Sequence, residues 1–336
     1  MGWYSAVGRR VFFALPPEAA HRVAGALLEF PFPWERIGGR APADPRLRVS
    51  LAGIDLANPI ALAAGFDKGC VHLGALGRLG FGYVVGGTVT RAPRAGHPKP
   101  RIARDRDAGS LVNAMGMPNP GTDVVARRLL ASPRTAPRFV SLADEGLDDV
   151  LAAAGVLRPF VDGFELNASS PNATWAHEGA HIAEVIERLV ARTGRPVVVK
   201  LPRFETDAEE DHALRLAVAA RDAGAAALTC SNTRPVADAR LAMGRGGLSG
   251  RPLAAGTPAI VRSVRAATGG TIPLNASGGI GTVRQALACL EAGATTVQIY
   301  TAMLFEGPGI VGTLARGLAD VLRARGTDVP SLVGSA

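Results

Sequence analysis

Residues 271–302 read TIPLNASGGIGTVRQALACLEAGATTVQIYTA and contain the unit from which the fold can be predicted. An apolar run (271–278) leads into a glycine pair. A helix-like segment with apolar residues spaced near 3.6 follows, and an Ala-Gly stop precedes a second apolar run (295–302). A strand, a crossover helix and another strand in this order indicate parallel strands of an α/β sheet.

The same alternation of apolar runs and helix-like segments recurs along the rest of the chain. Further apolar runs lie at 59–65, 81–90, 138–142, 163–169, 196–202 and 225–232. Eight strands alternating with helices predict a closed (β/α)8 TIM barrel. A doubly wound open sheet is the alternative, but it rarely needs eight strands in about 250 residues. Residues 1–40 lack this alternation and predict two short amphipathic helices, so we divide the chain into a helical extension (1–40) and a barrel (41–336).

Composition and charge narrow the class of protein. Hydrophobic residues make up 47% and charged residues 20%, which is typical of a globular protein. The net charge of +8 comes without a run of five or six basic residues, which argues against a nucleic-acid partner and favours small anionic ligands or an anionic membrane surface. The start of the chain does not resemble a signal peptide, and no apolar stretch reaches about 18 residues. We expect a cytoplasmic protein, with peripheral attachment to the inner face of the cell membrane as an option.

Cysteine and histidine patterns do not predict a metal site. Cys70, Cys230 and Cys289 are far apart and form no CxxC, which fits a reducing compartment. Residues 177–181 match the zinc motif HExxH, but they contain a glycine, follow the Pro171 loop and have no third ligand in view. We interpret this match as chance.

Glycine clusters follow the last predicted strands. Gly278 and Gly279 precede a predicted helix start, where backbone N–H groups and the helix dipole favour a phosphate. Tyr300-Thr301 ends the neighbouring strand, and the loops after strands seven and eight are the frequent phosphate site of barrels. The run 246–250 could close the same pocket. Together these clusters predict a phosphate-bearing cofactor.

Cations and carboxamides also gather at the predicted strand ends. Lys68 and Lys200 both lie at predicted strand ends, and Lys200 finishes the apolar run VVVK, so they could stabilise an anionic ligand. Four asparagines come from strand-end or adjacent loops, and carboxamides suit a planar imide-like or amide-like ligand. They are Asn113, Asn167, Asn172 and Asn232.

The stretch LNASSPNATW (166–175) carries two adjacent serines after the fourth predicted strand. Its two glycosylation patterns are accidental if the protein is not secreted. No GxSxG elbow surrounds Ser169 or Ser170. A base or structural role is therefore favoured over acyl transfer.

These motifs together resemble the dihydroorotate dehydrogenase family, specifically its membrane-associated, quinone-using class 2. The segments that carry the resemblance span almost the whole barrel in order: AAGFDKG (63–69), GFGYVVGGTVTRAPRAGHPKPRIAR (80–104), NAMGMPNPG (113–121), LNASSPN (166–172), VVVKLP (197–202), CSNTRP (230–235), GGLSGRPL (246–253), NASGGI (275–280) and VQIYTAMLFEGPG (297–309). LPPEAAHRVAGALL (15–28) is similar to the helical pair that forms the quinone entrance in class 2.

The resemblance implies a set of site residues. The FMN-binding residues would be Ala64, Gly65, Phe66, Asp67, Lys68, Thr88, Ser141, Asn167, Lys200, Ser231, Gly250, Gly279, Tyr300 and Thr301. The substrate-binding residues would be Lys68, Asn113, Ala114, Met115, Gly116, Met117, Asn167, Asn172, Asn232 and Thr233. Ser170 would be the catalytic base, removing a proton from C5 of dihydroorotate while hydride leaves C6 for the flavin. His21, Arg104 and Tyr300 would line the quinone tunnel.

The chain departs from the family pattern beside the substrate. Ala173 replaces a usual Thr, Met117 a usual Phe and Ser141 a usual Asn. The resemblance implies oxidation of dihydroorotate to orotate in pyrimidine biosynthesis. One alternative is a diverged flavoenzyme that acts on another small amide or enone, and the other is a non-enzymatic scaffold.

Overall fold

The computed structural model describes Tyr4 and residues 8–30, 41–169 and 179–335. The strands in these residues are, in chain order, β1 (Val49–Leu51), β2 (Ile54–Leu56), β3 (Ile60–Leu62), β4 (Tyr83–Val89), β5 (Ile102–Asp105), β6 (Ser110–Asn113), β7 (Arg138–Leu142), β8 (Gly163–Leu166), β9 (Val197–Lys200), β10 (Ala227–Cys230), β11 (Arg234–Ala237), β12 (Arg245–Gly250), β13 (Leu274–Ser277) and β14 (Thr296–Ile299). β3, β4, β7–β10, β13 and β14 close into a barrel in which every neighbouring pair is parallel. The predicted TIM barrel is confirmed, and each barrel strand lies within one of the eight predicted runs.

Most residues of the barrel strands are apolar because both faces of these strands are covered. Val197, Val198 and Val199 of β9 are all at most 2% exposed. Parallel sheets occur almost only with helices over the outer face, so their strands are continuous apolar runs rather than alternating ones. This burial explains why the strand signal in the sequence is strong.

Helices follow the strands and form the outer layer. In chain order the helices of the described residues are α1 (Arg9–Ala14), α2 (Pro17–Glu29), α3 (Leu73–Gly77), α4 (Thr122–Ala131), α5 (Leu147–Leu157), α6 (Gly179–Thr193), α7 (Asp207–Asp222), α8 (Thr257–Ala267), α9 (Val283–Glu291), α10 (Thr301–Glu306), α11 (Ile310–Arg325) and α12 (Val329–Leu332). The start of α7 shows how the sequence fixes such a boundary. The Thr206 hydroxyl accepts from the Glu209 N–H, and the Glu209 carboxylate accepts from the Thr206 N–H. None of the helices in this part of the chain is long and apolar enough to cross a membrane.

An antiparallel sheet that the sequence reasoning missed stands beside the barrel mouth. Its strand order is β11-β12-β6-β5, and Gly247 of β12 pairs with Asn113 of β6. The exposure of β11 alternates, and β12 is half-buried or exposed over most of its length. Because these strands are short and contain glycine and arginine, they carry little of the apolar signal that marks the barrel.

Helices α1 and α2 dock on this sheet and on α3. The guanidinium of Arg101 donates to Glu18 at 2.7 Å, and Arg104 donates to the Phe12 carbonyl at 3.1 Å. Gly25 of α2 lies so close to the His72 ring that a Cβ there would collide with it. Two helices around the Pro16-Pro17 pair are therefore observed as predicted.

Candidate active site

The carboxyl ends of the barrel strands open into a cleft of about 1340 Å³. Sequence-predicted residues from seven of the eight barrel strand ends, all except β7, contribute to the wall, and β6 and β12 of the antiparallel sheet add the far side. The predicted residues on the wall are Ala64, Gly65, Lys68, Thr88, Asn113, Ala114, Met115, Gly116, Met117, Asn167, Lys200, Ser231, Asn232, Thr233, Gly250, Gly279, Tyr300 and Thr301.

Three predicted cofactor residues lie behind this wall. The Ser141 hydroxyl is buried and lies 3.1 Å from the Thr88 hydroxyl. The Phe66 ring packs against the Tyr300 ring, and the Asp67 carboxylate accepts from the backbone N–H groups of residues 71 and 72. These side chains support wall residues rather than facing the cleft.

Some predicted residues fall outside the described part of the chain. They are Ser170, the predicted base, and Asn172, a predicted substrate ligand. Ala173 and two residues of the HExxH match, His177 and Glu178, also lie there.

Two glycine turns form one end of the cleft. Gly250 has a φ of 96° and Gly279 a φ of 75°, in the region that side-chain-bearing residues rarely adopt. A Cβ on Gly250 would collide with the Gly109 carbonyl, and one on Gly279 would collide with the Ala254 backbone. These positions require glycine, and Gly279 lies just before the N-terminus of α9, where the first backbone N–H groups have no acceptor within the helix. An anionic group such as a phosphate fits this cradle.

Lys200 supplies an uncompensated charge deep in the same cleft. It is only 7% exposed, and its ammonium has no hydrogen-bond or ion-pair partner among the described residues. An ammonium that lines a cleft and has no partner in the protein is available to a ligand. A bound ligand with an acceptor or a negative charge at this point would form a charge-assisted hydrogen bond with it.

Lys68 lies on another wall, near α2. Its ammonium donates to the Gly65 carbonyl at 2.5 Å. Burial lowers the pKa of Lys68 to about 8, and the nearby Arg101 adds to the effect, while Asp67 and Glu18 oppose it. The ammonium is therefore poised to lose its proton at mildly alkaline pH.

A chain of hydrogen bonds orients the carboxamides. Asn167 donates to the Thr88 hydroxyl at 3.1 Å and accepts from the Ser169 hydroxyl at 2.7 Å. Ser169 in turn accepts from the Asn232 amide at 2.7 Å, and the Asn232 carbonyl accepts from the Thr233 N–H at 2.8 Å. These hydrogen bonds fix whether the carbonyl oxygen or the NH2 group of each carboxamide faces a ligand. Recognition of a planar imide requires this orientation.

The wall residues that the sequence reasoning missed include His97 and Gln298. The His97 Nδ1 lies 3.2 Å from the Ala114 carbonyl, and the ring packs against Gly116 of the predicted substrate loop. Gln298 donates to Tyr83 at 3.1 Å and to the buried Glu165 carboxylate at 3.3 Å. Barrel interiors are usually filled by branched apolar residues, so Glu165 and Gln298 give this cleft an unusually polar floor.

A row of aromatic rings leads from α2 toward the cleft. The His21 and Phe66 ring centroids are 5.5 Å apart, and those of Phe66 and Tyr300 are 5.6 Å apart. Burial lowers the pKa of His21 to about 4, with the charges of Lys68 and His72 adding to the effect, so the ring is neutral at pH 7. Arg104 lies apart from this row, with its guanidinium 4.7 Å from the Phe13 ring centroid.

The sequence that forms this barrel and cleft matches the model of a known family. The family model for dihydroorotate dehydrogenase covers residues 46–322, which include every barrel strand. The chain belongs to the dihydroorotate dehydrogenase family. Its flavoenzyme chemistry agrees with the glycine turns and the unpartnered lysine of the cleft.

Individual members of the dihydroorotate dehydrogenase family align along nearly the full chain. A protein of Anaeromyxobacter sp. (strain Fw109-5) named dihydroorotate dehydrogenase (quinone) is 38% identical over 342 residues, covering 95% of this chain and 93% of the relative. A protein of the same name from Thermus thermophilus is 36% identical, with 94% and 96% covered. The crystal structure of DHODH from Eimeria tenella in complex with ferulenol is similar with a TM-score of 0.85 and 27% identity, covering 97% of this chain and 98% of that one.

Proposed function

We propose that this chain is an FMN-dependent dihydroorotate dehydrogenase that oxidises (S)-dihydroorotate to orotate and uses a quinone as electron acceptor. The observation that carries the proposal is the nearly full-length similarity to quinone-type dihydroorotate dehydrogenases. The cleft supports it, because one space combines an anion cradle, two lysines and an ordered set of carboxamides.

The residues of the cleft fit FMN as the flavin. The glycine turns at Gly250 and Gly279 would hold its phosphate, with Tyr300-Thr301 beside them. Lys200 would lie against the pyrimidine part of the ring, where its charge favours the reduced anion. When bound, FMN supplies two-electron redox chemistry, as acceptor from the substrate and donor to the quinone.

The substrate would lie between Lys68 and the carboxamides. The Lys68 ammonium pairs with the substrate carboxylate, and Asn113, Asn167 and Asn232 bind its imide and amide groups. Ser170 accepts the C5 proton. Because a serine hydroxyl is a weak base, this proton must pass onward through a relay or water, and the rate of substrate oxidation should rise with pH.

The quinone would approach through the N-terminal helices, which we assign with residues 1–40 as a unit distinct from the barrel at 41–336. The outer side of these helices exposes Val11, Val23, Leu27 and Phe30 by 44–66%. Basic residues flank this apolar surface, which suits contact with an anionic membrane. We place the protein in the cytoplasm, attached peripherally to the inner face of the cell membrane, with His21, Arg104 and Tyr300 along the quinone path.

Anaerobic mixing with dihydroorotate tests the substrate. The FMN-loaded protein should lose its flavin absorbance as the substrate reduces it. Failure of dihydroorotate to reduce bound FMN at any value between about pH 6 and about pH 10 would refute the assigned substrate.

Removal of residues 1–35 tests the quinone path separately. The shortened protein should still be reduced by dihydroorotate but should lose quinone reduction. Intact quinone reduction would contradict the assigned path.

A further inference from the structure

Arg203 is a buried cation that the proposed chemistry does not yet use. It lies between β9 and α7, and its side chain is only 5% exposed. Its Nε donates to Glu205 at 3.3 Å, whereas its Nη1 is buried without a hydrogen-bond partner among the described residues. Buried guanidinium N–H groups are normally satisfied, so this one calls for an explanation.

The guanidinium lies directly behind the proposed phosphate cradle. Its Nη1 is 3.5 Å from the point where a Cβ would stand if Gly278 carried a side chain, and its Nη2 is 2.8 Å from the corresponding point at Gly256. Gly278 belongs to the cleft wall, and its carbonyl accepts from the Thr257 hydroxyl at 2.8 Å. Arg203 therefore packs against the Gly278 turn. From there it can stabilise both the turn and a negative charge bound on the cleft side of the turn.

The protein contacts of Arg203 compensate its burial poorly. Glu205 is 43% exposed and also pairs with Arg234 at 3.5 Å, so its charge is shared and screened by water. Burial lowers the pKa of Arg203, the direction expected when a cation lacks full compensation. A doubly charged phosphate at the Gly278 turn would provide that compensation.

We propose that Arg203 is a positioning residue for the cofactor phosphate, which it favours by ordering the Gly278 turn and by placing a positive charge behind it. The inference rests on the proposed use of FMN and adds a specific consequence. Arg203 should contribute to the preference for FMN over riboflavin, the same flavin without the phosphate.

Flavin binding to the apoprotein tests this role independently of turnover. The dissociation constants of FMN and riboflavin are measured by quenching of flavin fluorescence for the wild type and for Arg203→Met. The variant should bind FMN roughly ten- to a hundredfold more weakly, with riboflavin affinity within about twofold of the wild type. Arg203→Lys, which keeps the charge, should restore a large part of the preference for FMN.

Arg234→Met is the matched control. It removes the same charge from the same partner, Glu205, but from a half-buried side chain that is not part of the cleft wall. FMN affinity should stay within about twofold of the wild type. Equal losses in the Arg203 and Arg234 variants would show that the effect is general electrostatics and would overturn the proposal.

Other outcomes also decide the matter. If Arg203→Met weakens FMN and riboflavin equally, Arg203 is only structural and the proposal is wrong; unchanged FMN binding refutes it as well. If Arg203→Met does not fold, Arg203→Gln takes its place, and the ratio of its riboflavin Kd to its FMN Kd is compared with that of the wild type. If the wild type binds riboflavin with the same affinity as FMN, the FMN assignment itself is wrong. If the wild type prefers FMN and Arg203→Met prefers it to the same extent, only the inference about Arg203 is wrong.

Discussion

Loss of the Lys68 proton should weaken the binding of anionic ligands at mildly alkaline pH. Burial lowers the pKa of this ammonium to about 8, and the group lines the cleft where we propose that the substrate carboxylate binds. If only the protonated form binds the carboxylate, the apparent Kd grows as one plus the ratio of neutral to charged lysine. The Kd for orotate should then rise about tenfold between about pH 7 and about pH 9.

The assay is a titration of the oxidised, flavin-loaded protein with orotate, followed by the change in flavin absorbance. Lys68→Arg keeps its charge over the whole range, so its Kd should change little with pH. The Arg variant also corrects for any titration of the ligand. Lys68→Met should bind weakly at every pH. If the orotate Kd of the wild type changed with pH in the same way as that of Lys68→Arg, the assigned role of the Lys68 proton would be refuted.

The same pKa shift has a consequence for folding with a definite sign. The folded-state pKa of about 8 lies below the ordinary lysine value of 10.5, so the unfolded chain binds more protons between these values. The Lys68 contribution therefore makes the ligand-free protein more stable as pH rises through this window. Comparison of urea midpoints for wild type and Lys68→Met across the window measures it, and parallel midpoints would contradict it.

Three further predictions concern the cofactor, the base and the quinone path. Lys200→Met removes a charge that favours the reduced flavin anion, so it should lower the flavin midpoint potential by roughly 30 mV or more, which corresponds to about 1.4 kcal/mol for two electrons. Equilibration with redox dyes measures the potential, and an unchanged potential would count against the assigned position of Lys200. Ser170→Ala should slow flavin reduction by roughly 10²–10⁴ with FMN retained, as stopped-flow absorbance would show; an unchanged rate would move the base elsewhere, with His177 first to be tested. Gly25→Leu should displace α2 from His72 and reduce quinone turnover about tenfold or more, with flavin reduction by dihydroorotate unchanged. Equal losses in both half-reactions would contradict the separate role of α2.

The barrel could be predicted because its signals are local. The barrel strands are mainly apolar runs, since parallel strands under helices are buried on both faces, and α7 and α9 are each followed directly by Ala-Gly. The wall positions of Lys68, Lys200, Asn167 and Asn232 followed from one rule, that the ends of barrel strands meet at a single face.

The remaining features depend on contacts between distant parts of the chain. The sheet that brings Gly247 beside Asn113 is built from short strands, of which only β6 is mostly buried, so it leaves little apolar signal in the sequence. Ser141 was assigned by resemblance to the cofactor site, but it is fully buried, 3.1 Å from the Thr88 hydroxyl, and Thr88 is the one of the two that lines the cleft. Arg203 is an ordinary arginine in the sequence, and only folding brings it behind Gly278.

The most direct test of the account is a single reaction in which both products are counted. The FMN-loaded protein is supplied with dihydroorotate and a soluble quinone under anaerobic conditions, and the orotate and quinol formed are measured together. Equal amounts of the two products are expected over many turnovers, because each oxidation of dihydroorotate releases the two electrons that reduce one quinone. Quinol formation without orotate, or no turnover by protein that holds FMN, would contradict it.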